Sequence, residues 1–276
     1  MTDRYAVMGN PIAHSKSPRI HALFAQQTHQ DLSYEALFVP LDGFAAAVAE
    51  FRAAGGKGLN VTVPFKQEAW SLKVEHTGRA RRAGAVNTLW FRDDGTTLAD
   101  TTDGVGLVRD LTDNHHITLA AKQILILGAG GAVRGVVEPI LAEHPTRVVI
   151  ANRTPGKARE LAVLFGEMGA IHGCGFDSLA GQQFDLVING TAASLEGEVP
   201  PLPDDLLADN ASCYDMMYGA TRTPFQRWAT AHGVAQALDG LGMLVEQAAE
   251  AFTIWRGVRP QTATVVVAVR QEFFGG

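Results

Sequence analysis

The stretch ILILGAGGAVRGVV, residues 124–137, narrows the folds open to this chain more than any other. A short unbroken apolar run reads as a strand covered on both faces. Gly128-Ala129-Gly130-Gly131-Ala132 then form a tight turn, and a helix follows to about Ala142. Glycines in such a turn let backbone N–H groups approach a pyrophosphate at a helix N-terminus. The last glycine of the usual spacing is absent, and Val133 stands in its place. A glycine-rich loop alone is a weak signal, but the strand before it and the helix after it supply the context of a dinucleotide fingerprint. The expectation is an α/β fold with a Rossmann-type doubly wound parallel sheet.

The end of the next strand, RVVIA (residues 147–151), bears on which dinucleotide. In this fold a carboxylate about 20 residues on binds the ribose hydroxyls of NAD. Here Asn152, Arg153 and Thr154 replace the acid, and Lys157 follows. Cations favour a 2′-phosphate, the planar guanidinium most of all, so NADP(H) is expected. The competing reading makes Arg153 and Lys157 solvated surface residues at a helix start.

Strand-like and helix-like segments alternate along the whole chain, which supports the α/β class. The first half reads as strands at 4–9, 34–39 and 58–63, with helices at 18–29, at 43–55 and after Lys66. Residues 85–91 and 97–101 pair as a hairpin across Asp93-Asp94-Gly95. The second half adds a helix at 155–165, strands at 184–189 and 212–218, and helices at 241–255 and 262–274.

With 276 residues, 46% hydrophobic and 19% charged, the chain can bury a large core as two ordinary domains or one large one. The net charge of −6 argues against a nucleic-acid partner, which asks for a basic stripe. The two cysteines, Cys174 and Cys213, sit in no CxxC and beside no histidine, so they read as structural thiols and no metal is expected. The N-terminus enters a strand pattern at once, without a signal-peptide core. The longest apolar run, near residues 264–269, is too short to span a bilayer. A cytoplasmic protein without membrane partners is expected.

Three polar groupings stand out. In GNPIAHSKSP, Ser15 and Ser17 flank Lys16, and Pro18 suits the first position of a helix. Hydroxyls at a helix start, with free N–H groups, suit a carboxylate, although Ser17 alone also reads as a plain N-cap. In GLNVTVPFK, Leu59, Val61 and Val63 form the apolar face of a strand, and Asn60 and Thr62 share the other face. Pro64 stops the strand and Lys66 follows. Asn87 and Asp103 sit near further strand ends. Should these ends converge, they offer amide, hydroxyl, amine and carboxylate groups to a polyhydroxylated small molecule. A lysine beside a carboxylate can act as acid or base at a carbonyl–alcohol centre. Singly, each residue also has an ordinary reading: Lys66 exposed, Asp103 a helix cap.

The motifs GNPIAHSKSP, GLNVTVPFK, AGAVNTL, TDGVG, GAGGA, NRT, DMMY and DGLGMLVEQAA occur in this order from the N-terminus to about residue 255. In this the chain resembles the shikimate dehydrogenase family, NADPH-dependent enzymes of the route to chorismate and the aromatic amino acids. The resemblance implies a substrate domain of residues 1–103 and 240–276 and an NADP domain of residues 104–239, with the active site in the cleft between them. It implies that Ser15 and Ser17 bind the substrate carboxylate, with Tyr218 near it. Asn60, Thr62, Asn87, Asp103 and Gln247 would bind ring hydroxyls or order the pocket, and Lys66 and Asp103 would be the catalytic pair. The loop from Gly128 to Ala132 would hold the pyrophosphate. Asn152, Arg153, Thr154 and Lys157 would hold the 2′-phosphate, and Met216 and Gly240 would line the nicotinamide. The ligands implied are NADP(H) and shikimate or 3-dehydroshikimate, and the family includes monomers and homodimers. Two departures from the family pattern are Thr101 before Thr102-Asp103, and Gly190 in INGTAAS, which is expected to loosen a segment beside the cofactor. Two relatives remain as alternatives: a quinate/shikimate dehydrogenase using NAD(P), and a non-catalytic NADP-binding regulator.

Overall fold

The structure, a computed structural model, describes residues 2–275. It divides into two compact units: one runs to Gly106 and resumes over Leu244–Glu272, and the other takes Leu107–Met243 with the residues from Phe273 onward.

The first unit contains β1 (Asp3–Gly9), α1 (Ser17–Thr28), β2 (Leu32–Phe38), α2 (Phe44–Ala53), β3 (Gly56–Val61), α3 (Lys66–Trp70), β4 (Glu75–His76), α4 (Gly78–Ala83), β5 (Thr88–Phe91) and β6 (Thr97–Asp100), and α5 (Asp103–Arg109) follows. Its sheet runs β2-β1-β3-β5-β6-β4. β1 pairs parallel with β2 and β3, whereas β5 is antiparallel to β3 and β6. The hairpin expected at Asp93-Asp94-Gly95 forms, with Phe91 opposite Thr97. Asp94 accepts the Thr96 N–H at 2.8 Å, and Gly95 takes φ +84°, a conformation that glycine adopts at least cost. β4 and α4 went unread because two and six residues are too few to show a period. A local cap secures α4: the Thr77 hydroxyl accepts the Ala80 N–H at 3.2 Å.

The second unit contains β7 (Gln123–Leu127), α6 (Gly131–Ala142), β8 (Arg147–Ala151), α7 (Pro155–Phe165), β9 (Ile171–Cys174), β10 (Phe184–Asn189), β11 (Leu207–Asp215), α8 (Pro224–Ala231) and β12 (Gln236–Asp239). Every strand pair in its sheet is parallel, in the order β12-β11-β10-β7-β8-β9. The order in which strands are added thus reverses at β7 and β10, which is the topological switch point of a doubly wound sheet. Ile124, Leu125, Ile126 and Leu127 of β7 are all fully buried, so helices cover both faces. Each such side chain contributes about 1.5–3 kcal/mol of hydrophobic stabilisation.

The strand expected at 212–218 is instead β11, which begins at Leu207 and ends at Asp215. Met216 to Tyr218 lie beyond it, because the Asp215 carboxylate turns to bind the loops at that end.

The chain re-enters the first unit at Leu244, within α9 (Leu241–Arg256), and continues into α10 (Ala263–Phe274). Trp255 Nε1 donates to the Leu89 carbonyl at 3.0 Å, and Arg79 pairs with Glu250 at 3.2 Å. A Cβ at Gly58 would lie 2.5 Å from Trp255 Nε1, so the glycine that opens GLNVTVPFK makes room for this helix. Among the described residues no helix is long and apolar enough to cross a membrane, and no group of three or more His, Cys, Asp or Glu could hold a metal ion. Cys174 and Cys213 are free and buried; burial pushes the Cys213 thiol up to about 12, which leaves it inert.

Candidate active site

Backbone register brings the polar residues of the first unit together. Val61 N–H donates to the Asn87 carbonyl at 2.8 Å, Val86 N–H to the Lys66 carbonyl at 3.0 Å and Asn87 N–H to the Asp100 carbonyl at 3.0 Å. The ends of β3, β5 and β6 are thereby laced to the start of α3. On this frame Lys66 Nζ donates to Asp103 Oδ2 at 2.5 Å. The two side chains are only 20% and 10% exposed, so water screens the pair less than it would at the surface.

Asn87 orients the other oxygen of Asp103. Its Nδ2 donates to Asp103 Oδ1 at 2.9 Å and also faces Thr102 Oγ1 at 3.0 Å and Gln247 Oε1 at 3.3 Å. Its Oδ1 accepts from Thr102 N and from Thr88 Oγ1, both at 2.9 Å. Thr88 Oγ1 in turn accepts from Asn60 Nδ2 at 3.1 Å, and Asn60 Oδ1 accepts from the Tyr34 hydroxyl at 2.7 Å. One hydrogen-bonded line therefore runs from Tyr34 through Asn60, Thr88, Asn87 and Asp103 to Lys66. Both ends of the Asn60 amide are engaged within the protein, which suits it to ordering its neighbours.

Sequence reasoning missed three supports of this site. Asp100, buried, receives Arg79 through two bonds of 2.7 Å and the Thr101 N–H at 2.8 Å, which fixes the turn that delivers Asp103. Tyr34 holds Asn60, and burial raises the pKa of its phenol well above the usual 10.0, with nearby Ser17 opposing the rise. His21 stacks on Tyr34 with ring centroids 4.1 Å apart and is fully buried. Burial lowers its pKa from 6.5 to about 3; Asn60 lies near enough to oppose that slightly, yet neither ring nitrogen has a bond of acceptable geometry. His21 follows Ser17 by one helical turn, but nothing in the sequence marks that spacing as more than core.

Other details differ from expectation. β3 stops at Val61, and Thr62 opens a turn in which the Phe65 N–H donates to its carbonyl at 3.0 Å. Val63, expected on the buried face, is 61% exposed, because alternation ends with the strand. Lys16, not Ser17, is the N-cap of α1; Ser17 is its first residue and Pro18 its second. The Ser15 hydroxyl accepts the Ser17 N–H at 3.3 Å. Tyr218 belongs to the second unit.

In the second unit Gly128 takes φ +104° and donates its N–H to the Ala151 carbonyl at 2.8 Å. A Cβ on Gly130 or Gly131 would meet nothing within 4 Å, so the backbone at the start of α6 is open to close approach. Gly130, the N-cap, has no side chain to satisfy the first N–H groups of that helix, which suits them to phosphate oxygens. At the end of β8, Asn152 Nδ2 holds the Thr154 carbonyl at 2.9 Å, and Arg153, Thr154 and Lys157 are exposed. This set of backbone amides and cations fits a dinucleotide bearing a 2′-phosphate.

Gly190 was expected to loosen its segment, and its surroundings are the reverse of loose. A Cβ there would lie 2.4 Å from Val133 Cγ2 and 3.1 Å from Met216 Sδ. Val133, which replaces the fingerprint's last glycine, fills the space that Gly190 leaves. Gly240 is equally constrained, since a Cβ would meet the Met216 carbonyl oxygen at 2.3 Å.

A doubly wound sheet with a glycine turn and cations, joined in one chain to a second α/β unit carrying a lysine–aspartate pair, defines a dinucleotide-linked oxidoreductase. Comparison with known proteins gives the family. Family models described as shikimate dehydrogenase substrate binding domain, shikimate/quinate 5-dehydrogenase and shikimate 5′-dehydrogenase C-terminal domain match residues 7–89, 110–196 and 240–270. A shikimate dehydrogenase (NADP(+)) from Alkalilimnicola ehrlichii is 61% identical over 99% of this chain and 100% of its own. Among solved structures, an Ael1 enzyme from Pseudomonas putida superposes with a TM-score of 0.91 at 47% identity, over 97% of this chain and 98% of that one. Shikimate 5-dehydrogenase from Thermus thermophilus, in complex with NADP(H) and shikimate, gives 0.87 at 33% identity, over 98% and 99%. The chain belongs to the shikimate dehydrogenase family.

Proposed function

We propose that this protein interconverts 3-dehydroshikimate and shikimate with NADP(H), in the route to chorismate and the aromatic amino acids. The observation that carries the reading is the Lys66–Asp103 pair at 2.5 Å, with Asn87 holding the second Asp103 oxygen at 2.9 Å. When bound, the reduced dinucleotide supplies the hydride that turns the ketone carbon into an alcohol carbon. Lys66 Nζ donates the proton that the developing alkoxide needs. Asp103 orients the amine and accepts a hydrogen bond from the substrate hydroxyl. Because the alkoxide exists only near the transition state, the Lys66 contact lowers the barrier rather than merely adding affinity.

The first unit binds substrate. Ser15 and Ser17 take the carboxylate, with Tyr218 near it. Asn87, Thr62 and Gln247 address the ring hydroxyls, and Asn60 orders Asn87 and Thr88. The second unit binds the dinucleotide: Gly128 to Ala132 hold the pyrophosphate, Asn152, Arg153, Thr154 and Lys157 the 2′-phosphate, and Met216 and Gly240 line the nicotinamide.

Quinate remains a second candidate substrate, since the model matching residues 110–196 is named for both alcohols. Initial rates with shikimate or quinate, each with NADP⁺ or NAD⁺, test the reading. Turnover confined to shikimate with NADP⁺ supports it in full. Comparable rates with quinate or NAD⁺ move the protein to the quinate/shikimate branch. No turnover in any combination, with NADP⁺ still bound, leaves a non-catalytic dinucleotide binder.

A further inference from the structure

The mechanism leaves unused a fully buried carboxylate in the second unit, Asp215, at the end of β11. Four groups converge on it, one from the end of β10 and three from the two segments that follow β10 and β11. Asp215 Oδ1 accepts from Asn189 Nδ2 and from the Met217 N–H, each at 3.1 Å. Oδ2 accepts from the Ser194 hydroxyl at 2.7 Å and the Thr223 hydroxyl at 2.6 Å. Asn189 closes the first of these loops: its Oδ1 takes the Thr191 N–H at 3.1 Å and hydroxyl at 2.7 Å. Thr223 closes the second as one half of the capping box of α8. One side chain thus joins the segment after β10 to the segment after β11. Bonds to an ionised acceptor are the strong kind, and burial withholds the water that could replace them. Burial also raises the Asp215 pKa, and the four donors oppose that rise.

The topology says what these loops serve. A doubly wound sheet takes a dinucleotide across its switch point, one mononucleotide over each half. The glycine turn and the cations stand at the ends of β7 and β8, so the adenosine half belongs there. The ends of β10 and β11 remain for the other nucleoside. Met216, one residue after Asp215, is held from both sides: its N–H donates to the Asn189 carbonyl at 2.9 Å, and its carbonyl has no room for a side chain at Gly240.

We propose that Asp215 is a positioning residue for the nicotinamide–ribose half of the dinucleotide, acting through Ser194, Asn189, Thr223 and the Met217 amide. The inference rests on the reading of the second unit as an NADP(H) site. It predicts a split between two ligands. NADPH spans both halves of the sheet, whereas adenosine 2′,5′-bisphosphate reaches only the half over β7 and β8.

Dissociation constants for both ligands should be measured by titration calorimetry on the full-length protein and three variants: Asp215→Asn, Ser194→Ala and Ser194→Thr. Losing bonds to a buried carboxylate should weaken NADPH about tenfold in Asp215→Asn and by a smaller factor in Ser194→Ala. Bisphosphate affinity should stay within about twofold, since additivity holds for distant sites. Ser194→Thr keeps the hydroxyl and should restore NADPH binding. Should Asp215→Asn fail to fold, the Ser194 pair still decides the matter. Equal weakening of both ligands would reduce Asp215 to general stability and overturn the proposal, as would unchanged NADPH affinity in Ser194→Ala. Failure of the unaltered protein to bind either ligand would instead overturn the NADP(H) reading.

Discussion

The two units solve the same problem, holding polar groups ready at strand ends, with opposite materials. The first uses side chains to hold side chains: Lys66, Asp103, Asn87, Thr88, Asn60 and Tyr34 form one hydrogen-bonded line. The second offers backbone, at Gly128, Gly130 and Gly131, where the lack of side chains is the working feature. A site of side chains should fail by losing chemistry when one member is cut. A site of backbone should fail by losing shape when a side chain is added.

The largest expected effect cuts the side-chain site. Lys66→Ala should lower kcat by at least ~100-fold, the low end of general acid–base contributions, with dinucleotide affinity unchanged. Steady-state rates beside NADPH titrations check this, and near-normal turnover would remove Lys66 from the chemistry. Next comes shape in the backbone site. Gly190→Ala drives a Cβ to 2.4 Å from Val133 Cγ2. Overpacking of this sort should cost about 1–3 kcal/mol in urea unfolding, and the further change Val133→Ala should recover much of it. Additive losses in the double variant would mean that the two positions do not share one space.

A third test asks whether the second unit also depends on a side chain. Arg153→Ala should weaken NADP⁺ about tenfold and leave NAD⁺ unaffected, a loss sized to one charged hydrogen bond. Equal changes for both dinucleotides would return Arg153 to the solvated surface.

The smallest effect lies behind the side-chain site. The unfolded chain binds a proton on His21 below 6.5, and the folded protein does not until about 3. Its contribution is therefore complete above pH 6.5 and is lost as pH falls through that window. At pH 6 the loss should be on the order of 1 kcal/mol relative to high pH. Urea unfolding of His21→Leu at pH 6 and pH 8 should lack that difference. The same pH dependence in the variant would assign it to other groups.

Legibility in the sequence followed the same division. The strand, glycine turn and helix at 123–142, the cations after β8 and the hairpin at Gly95 were readable because each is local and backbone-determined. The short elements β4, α4, β9 and β12 were not, since none is long enough to show a period; α8 went unread although Thr223 and Gln226 form a capping box at its start. Lys66 and Asp103 could be singled out, but not Tyr34, His21, Arg79 or Asp215, whose importance comes from partners far along the chain. Val63 and Gly190 misled for one reason. Alternation and glycine content describe a residue's own backbone, whereas exposure and fit depend on what stands opposite.

The sequence alone determined the doubly wound unit, its glycine turn and the polar residues that end the strands, because periodicity, turn chemistry and motif spacing act between near neighbours. Tertiary structure alone decided that Lys66 meets Asp103 across 37 residues, that Asn87 is the hub joining Gln247 to them across 160, and that Asp215 gathers two loops. Hydrogen bonds between distant segments exist only after the sheets fix their register, and no local pattern encodes which segments those will be.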